Sequence, residues 1–175
     1  MLRLRPIALA LITLFAPPGF APGSLAQSTT GGPSVQLQPR LKSGAADTAA
    51  IRGVLDMQVA AWNRGDLEGY MAGYWKSERL TFFGGGSVTR GWDATLTRYR
   101  RKYQSAGKAS MGKLDFSGVE IEPLGPHSAL ARGRWHLAMS GDKTPDGKQL
   151  GGLTTLILRR LPEGWRIVHD HSCSD

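Results

Sequence analysis

Apolar residues recur at helical spacing through Ile51, Val54, Leu55, Val59 and Trp62, and Gly65 stands where such a helix ends. Asp47 or Thr48 is placed to cap its start. Asp66 opens a shorter helical run in which Leu67, Tyr70, Met71, Tyr74 and Trp75 fall at i, i+3 and i+4 spacings. Leu80-Thr81-Phe82-Phe83 reads as a short strand closed by Gly84-Gly85-Gly86, and Gly91-Trp92-Asp93 opens a third helix carrying Leu96, Tyr99 and Tyr103. Past Gly107 the period changes to two. Leu114-Asp115-Phe116 and Val119-Glu120-Ile121 make one strand, with Gly118 as a bulge between them. Ser128 to Met139 is the next strand, 141–147 a hairpin loop rich in turn formers, Leu150 to Leu161 the return, and Trp165 to Ser172 the last strand. Helices first and a meander of strands afterwards predict an α+β fold, a curved antiparallel sheet wrapped around N-terminal helices with a cone-shaped hollow between them.

The last strand carries the candidate chemistry. Strict alternation puts Trp165, Ile167, His169, His171 and Cys173 on one side, and Arg166, Val168, Asp170 and Ser172 on the other. Titratable side chains on a strand that should be core are what the wall of a binding cavity looks like. Asp170 is the sharpest catalytic candidate, because a carboxyl under an apolar roof is pushed toward neutral pH and suits acid–base work. Tyr70, Tyr74 and His136 are candidate donors to a developing oxyanion. The alternative is that Asp170 pairs with Arg134 across the sheet as a buried ion pair.

His169, His171 and Cys173 are N and S donors, but successive members lie about 6.8 Å apart along a strand, long for one ion. No metal and no cofactor are expected. On an outer sheet face the two histidines would hydrogen-bond at a subunit contact, with Trp135, Trp165 and Ile167 adding apolar area. The triple glycine lacks a following Lys-Ser/Thr and reads as a turn rather than a phosphate loop.

Composition adds location and partners. Residues 1–26 follow the order of a secretory signal peptide: a basic start with Arg3 and Arg5, an apolar run from Ile7 to Phe15, then Ser24-Leu25-Ala26 for cleavage after Ala26. An exported, periplasmic or secreted protein with no membrane attachment after cleavage is expected. Residues 27–46, rich in Ser, Thr, Gly, Pro and Gln, read as a flexible tether, and 47–175 as one domain. Cys173 is the single cysteine, so packing or a homodimer must do what a disulfide cannot. The formal charge is +8, with a basic cluster at Arg98, Arg100, Arg101, Lys102 and Lys108 that reads as a solvated helix face, and no motif points to nucleic acid.

Trp62-Asn63-Arg64-Gly65-Asp66-Leu67-Glu68-Gly69-Tyr70, Gly91-Trp92-Asp93, Gly133-Arg134-Trp135-His136-Leu137 and Gly164-Trp165-Arg166-Ile167-Val168-His169-Asp170-His171-Ser172 together resemble the NTF2-like superfamily, most closely its SnoaL-like and DUF4440 group. The chain is also similar to the association domain of calcium/calmodulin-dependent protein kinase II. The resemblance covers about Asp47 to Cys173 and implies a cystatin-like cone. Against the arginine-lined pocket of the kinase domain, Arg134 matches one arginine, Thr155 and Ser172 hold the places of others, and Thr95 lies near its pocket histidine. The match implies an inward face formed by Arg134, His136, Thr155, Val168, Asp170 and Ser172. The ligand site is then expected from Trp62, Tyr70, Tyr74, Thr95, Tyr99, Arg134, His136, Thr155 and Ser172. A small organic ligand in the cone and a homodimer are the expected function. The alternative is a small isomerase, cyclase or dehydratase using Asp170 as general acid–base, as ketosteroid-isomerase-like and cyclase relatives use an acid in the hollow.

Overall fold

The computed structural model describes residues 40–139 and 149–175. The expected signal peptide, most of the tether and the loop at 141–147 lie outside those residues. The elements are α1 (Arg40–Asn63), α2 (Leu67–Met71), β1 (Thr81–Gly84), β2 (Ser87–Arg90), α3 (Trp92–Tyr103), a 3-10 turn (Lys108–Met111), β3 (Lys113–Gly125), β4 (Ser128–Ala138), β5 (Gln149–Leu161) and β6 (Gly164–Ser172). The strands form one curved six-stranded sheet in the order β2-β1-β6-β5-β4-β3. Helices lie against its concave face, the α+β cone that the order of elements predicts.

Helix α1 begins at Arg40, so Asp47 is inside it and caps nothing. Its carboxylate instead accepts from Trp165 Nε1 and pairs with Arg160, tying α1 to β6 and β5. The far end stops where the glycine predicts. Gly65 at φ 76° donates to the Trp62 carbonyl while Asp66 N donates to that of Ala61, the paired bonds of a left-handed helix stop. Asp66 then caps α2 by accepting from Gly69 N. The second helical run is shorter than its periodicity suggests: α2 ends at Met71, and Tyr74 bridges instead to Ile167. Asn63 pins α1 to β3 with two bonds, Nδ2 to the Leu114 carbonyl at 3.0 Å and Oδ1 from Leu114 N at 2.8 Å.

Gly85 and Gly86, at φ 58° and 70°, form the two-residue turn of the β1–β2 hairpin, a backbone that favours glycine at both places. The strand Ser87–Arg90 carries no apolar alternation, and the sequence pattern passes over it. β1 runs parallel to β6, placing Thr81 beside His169 and Phe83 beside His171. Gly118, at φ 57°, sits where the β3–β4 register shifts, as the expected bulge requires.

A second bulge decides which residues face the hollow. Ile157 pairs with His169 and Leu158 with Ile167, so Val168 is an extra residue in β6. Below the bulge Trp165 and Ile167 point into the core, 5% and 0% exposed; above it Asp170, 3% exposed, takes the same face. Strict alternation, which groups Trp165 and Ile167 with His169 and His171, fails at this one residue. Trp165 and Ile167 are therefore core, and His169 and His171 face outward. On β4 the buried positions are Ala129, Ala131 and Leu137, and on β5 they are Gly152, Thr154, Leu156 and Leu158. Arg134 and Thr155 fall on the opposite phase.

Candidate functional site

Between α1, α2, α3 and the concave sheet lies a cavity with about 100 Å³ of room for the centres of water-sized molecules. Its wall is aromatic: Trp62, Tyr70, Tyr74, Phe82, Tyr99, Tyr103, Phe116 and Trp135 all line it. Edge-to-face contacts knit the helical side, with ring centroids 5.0 Å apart for Trp62–Tyr70, 5.3 Å for Tyr70–Tyr99 and 4.9 Å for Trp62–Tyr103. The α1 side is fixed by Trp62 Nε1 donating to the Met111 carbonyl and by the buried Gln58 donating to that of Tyr70.

Among the described residues Asp170 is the single acid in this wall, and it enters no ion pair. Its Oδ2 accepts from the Tyr74 hydroxyl at 2.7 Å and its Oδ1 from the Ser172 hydroxyl at 2.7 Å. Ser172 in turn shares a bond with Thr154 at 2.9 Å. Burial penalises the carboxylate and outweighs the two hydroxyl bonds that favour it, so the Asp170 carboxyl is pushed up to about 6. Burial and the nearby Asp170 push the phenols of Tyr70 and Tyr74 well above their ordinary range, so both stay protonated. Tyr99 is raised in the same way, by burial and then by Tyr70.

Tyr74 is committed to Asp170, but the next two phenols are not held tightly. Tyr70 lies 3.3 Å from the Tyr74 oxygen and 3.5 Å from that of Tyr99, both long for hydroxyl pairs. Their protons are free to turn toward a bound oxygen. The cavity thus offers one carboxyl of near-neutral pKa and two spare neutral donors within an aromatic box.

Of the residues the sequence assigns to the site, Trp62, Tyr70, Tyr74, Tyr99, Asp170 and Ser172 line the cavity together. Four do not. Thr95 is fully buried in α3 and spends its hydroxyl on the Gly91 carbonyl at 2.8 Å, a helix bond behind the cavity wall. Arg134, His136 and Thr155 project from the outer face. Arg134 pairs with Asp175 at 2.6 Å and His136 bonds the Ser117 hydroxyl at 2.8 Å. The expected Asp170–Arg134 ion pair does not form, because β4 presents Arg134 on the convex side and its neighbour Trp135 to the cavity. The inward face implied by the arginine-lined pocket is one residue out of phase on β4 and β5. Val168 is displaced from the inner face by its own bulge.

His169 and His171 lie on the outer face. Thr81 Oγ1 is 2.6 Å from His169 Nδ1, and Phe83 packs edge-on against both rings at 4.9 and 6.1 Å between centroids. Burial, and then the proximity of His171, lowers the pKa of His169. The sequence pattern misses Gln58, Phe82, Phe116, Trp135, Thr154, Arg98 and Lys102 as cavity residues.

The family model of the SnoaL-like domain matches residues 51–174. Among solved structures the chain is similar to an NTF2-like protein of unknown function from Shewanella oneidensis, at 38% identity and TM-score 0.64, covering 72% of this chain and 98% of that one. An NTF2-like superfamily protein from Salmonella enterica aligns at 18% identity and TM-score 0.63, over 75% of this chain and 92% of that one. A ketosteroid isomerase-like protein from Erwinia carotovora aligns at 17% identity and TM-score 0.58, over 72% and 94%. No curated protein matches the chain. With its model match, its close structural relative and its helix-filled curved sheet, the chain belongs to the SnoaL-like domain family of NTF2-like proteins.

Proposed function

We propose that the domain binds a small, largely apolar carbonyl compound in its cone and moves a proton beside the carbonyl, with Asp170 as general acid–base. One observation carries this reading: Asp170 is buried against the cavity with no ion-pair partner among the described residues, and its pKa of about 6 leaves it able both to take and to return a proton near neutral pH. The pairing with Arg134 that would neutralise the carboxyl is absent, since Arg134 pairs with Asp175 instead. The likeness to a ketosteroid isomerase-like protein supports the same class of chemistry.

The step balances with residues in place. Asp170 carboxylate takes a proton from the carbon next to the carbonyl, and the C–H electron pair becomes the new C=C bond. The carbonyl π pair moves to oxygen, where Tyr70 or Tyr99 donates a hydrogen bond to the growing negative charge. Protonated Asp170 then returns the proton to the same carbon or to a conjugated one, which gives exchange or isomerisation. Tyr74 and Ser172 hold the carboxyl in place throughout. Export of the mature protein after Ala26, and pairing of two copies through the outer sheet face, belong to the same proposal, supported by the leader-like N-terminus and by Leu153 standing 53% exposed on that face.

The test is exchange of α-protons for deuterium in D₂O, followed by proton NMR over a panel of small neutral and anionic ketones. Acceleration by the protein on at least one ketone, abolished in Asp170→Asn, is expected. No acceleration over the panel, or equal acceleration by the variant, overturns the chemistry and leaves a ligand-binding module.

A further inference from the structure

The cavity changes character from floor to mouth. Asp170 lies deep in it, while the exposed part of its lining is Gly85, Lys102 and Ser174, with Arg98 half-buried beside them. Among the described residues the mouth therefore carries two cations and no acid. Neither enters an ion pair among the described residues, whereas Arg100, on the same helix, pairs with Glu68.

The heads of both cations are placed. Arg98 donates to the Ser87 hydroxyl at 2.6 Å, the Thr89 hydroxyl at 3.2 Å and the Gly84 carbonyl at 2.7 Å, and lies over the Phe82 ring at 5.1 Å. All three acceptors are neutral, so among the described residues its charge is uncompensated and two of its five N–H groups have no partner. Lys102 lies over the Tyr103 ring at 5.0 Å. The two are spaced i, i+4 on α3, where like charges repel, so an anion between them relieves a repulsion already built in.

We propose that Arg98 and Lys102 form an anion anchor at the cavity mouth, so that the substrate is an organic monoanion. Its charged group rests on α3, its apolar body lies among the aromatic rings, and its carbonyl end reaches Asp170. This rests on the acid–base reading for the identity of the deep end, but the anchor itself is a matter of binding. Arg98 does double duty, since the same guanidinium latches the β1–β2 hairpin to α3. Lys102 is the cleaner probe, being exposed and without structural bonds.

Phenylacetate and phenylacetamide have the same shape and differ by one charge. Titration calorimetry of the full chain with each, in low-salt buffer, reads the anchor directly. Phenylacetate is expected to bind about five- to tenfold more tightly, the size of one partly exposed charge contact. Lys102→Met lowers the ratio by about twofold or more, the remainder being held by Arg98. Arg101→Met removes the same charge from an exposed position of the same helix outside the cavity and leaves the ratio in place. Equal binding of the two compounds to the unaltered protein, an unchanged ratio in Lys102→Met, a ratio lost equally in Arg101→Met, or no binding of either compound overturns the anchor. The acid–base reading fails separately: it falls if Asp170→Asn exchanges α-protons as fast as the unaltered protein, whatever the affinity ratio of the two compounds, and the charge preference stands even where no ketone is turned over.

Discussion

Tyr74 and Asp170 lie on different elements, 96 residues apart in sequence, yet the Tyr74 hydroxyl donates to Asp170 Oδ2 at 2.7 Å. The approach depends on two backbone bonds. Trp75 N donates to the Ile167 carbonyl and Ile167 N to that of Gly73, so the chain after α2 is stitched to β6 just below the bulge. The bulge at Val168 then turns Asp170 inward to meet the phenol. The acid and its donor are thus set by backbone pairing rather than by side-chain packing alone.

Removing that donor while keeping the ring isolates its effect. The Tyr74 bond lowers the Asp170 pKa, against the larger upward push of burial. Tyr74→Phe should raise the carboxyl above about 6, by roughly one unit given the usual strength of a hydrogen bond to a charged group. Carbon-detected NMR titration of the Asp170 carboxyl reads this, and the acid limb of any exchange profile should move up with it. A downward shift would mean that Tyr74 does not donate to the carboxylate.

Asp170 also makes stability depend on pH, with a definite sign. Its pKa is 3.8 unfolded and about 6 folded, so the folded state holds its proton more strongly. Below about pH 4 both states are protonated and the residue exacts no penalty. Between about pH 4 and 6 the unfolded carboxyl ionises while the folded one resists, and stability falls. Above about pH 6 the loss levels off near about 3 kcal/mol. Asp170→Asn cannot ionise, so urea melts of the variant and the parent should diverge across that window and run parallel above it. Parallel stability from pH 4 to 8 would place the Asp170 pKa at its ordinary value.

Arg134 tests the assignment of faces. It lies on the convex side in an ion pair with Asp175, its side chain 39% exposed. Exposed pairs of this kind contribute little, so Arg134→Met should leave both stability and the binding of phenylacetate essentially unchanged. Calorimetry and a thermal melt of the one variant suffice. A large loss of affinity would return Arg134 to the cavity.

The sequence makes the fold legible because the information is local. Gly65 and Asp66 mark a helix stop and restart, the switch to period two after Gly107 marks the meander, and Gly118 marks a bulge. The site is half legible for the same reason. Tyr70, Tyr74 and Tyr99 advertise a cavity edge through apolar spacing combined with hydroxyls. What is not legible is phase. Val168 is an ordinary strand residue, and nothing in its side chain shows that β6 takes an extra residue there. On β4 and β5 the small Gly133, Gly151 and Gly152 leave the alternation undecided, so Arg134, His136 and Thr155 read as inward when they are not. Arg98 and Lys102 look like a solvated face because charge on a helix gives no sign of the cavity beside it.

Gly152 shows how tightly the cavity is closed. It lies opposite Trp135 on β5, and the C-terminal segment crosses it: Cys173 N donates to the Leu153 carbonyl and Asp175 N to that of Gly151. A Cβ on Gly152 would run into the backbone carbonyl of Cys173, the same oxygen that accepts from Trp135 Nε1 at 3.1 Å. Backbone cannot swing away as a flexible side chain would, so Gly152→Ala must push the segment off β5. That movement takes Ser174 out of the cavity wall and strains Ser172, which holds Asp170. The variant should lose about 1–3 kcal/mol, the range of an overpacked core, and hydrogen exchange should report loss of protection at Cys173 and Asp175 before β6. Gly151→Ala, whose Cβ would come no nearer than 3.4 Å to other atoms, should cost clearly less. Equal losses in the two variants would show that the crossing over Gly152 does not close the cavity.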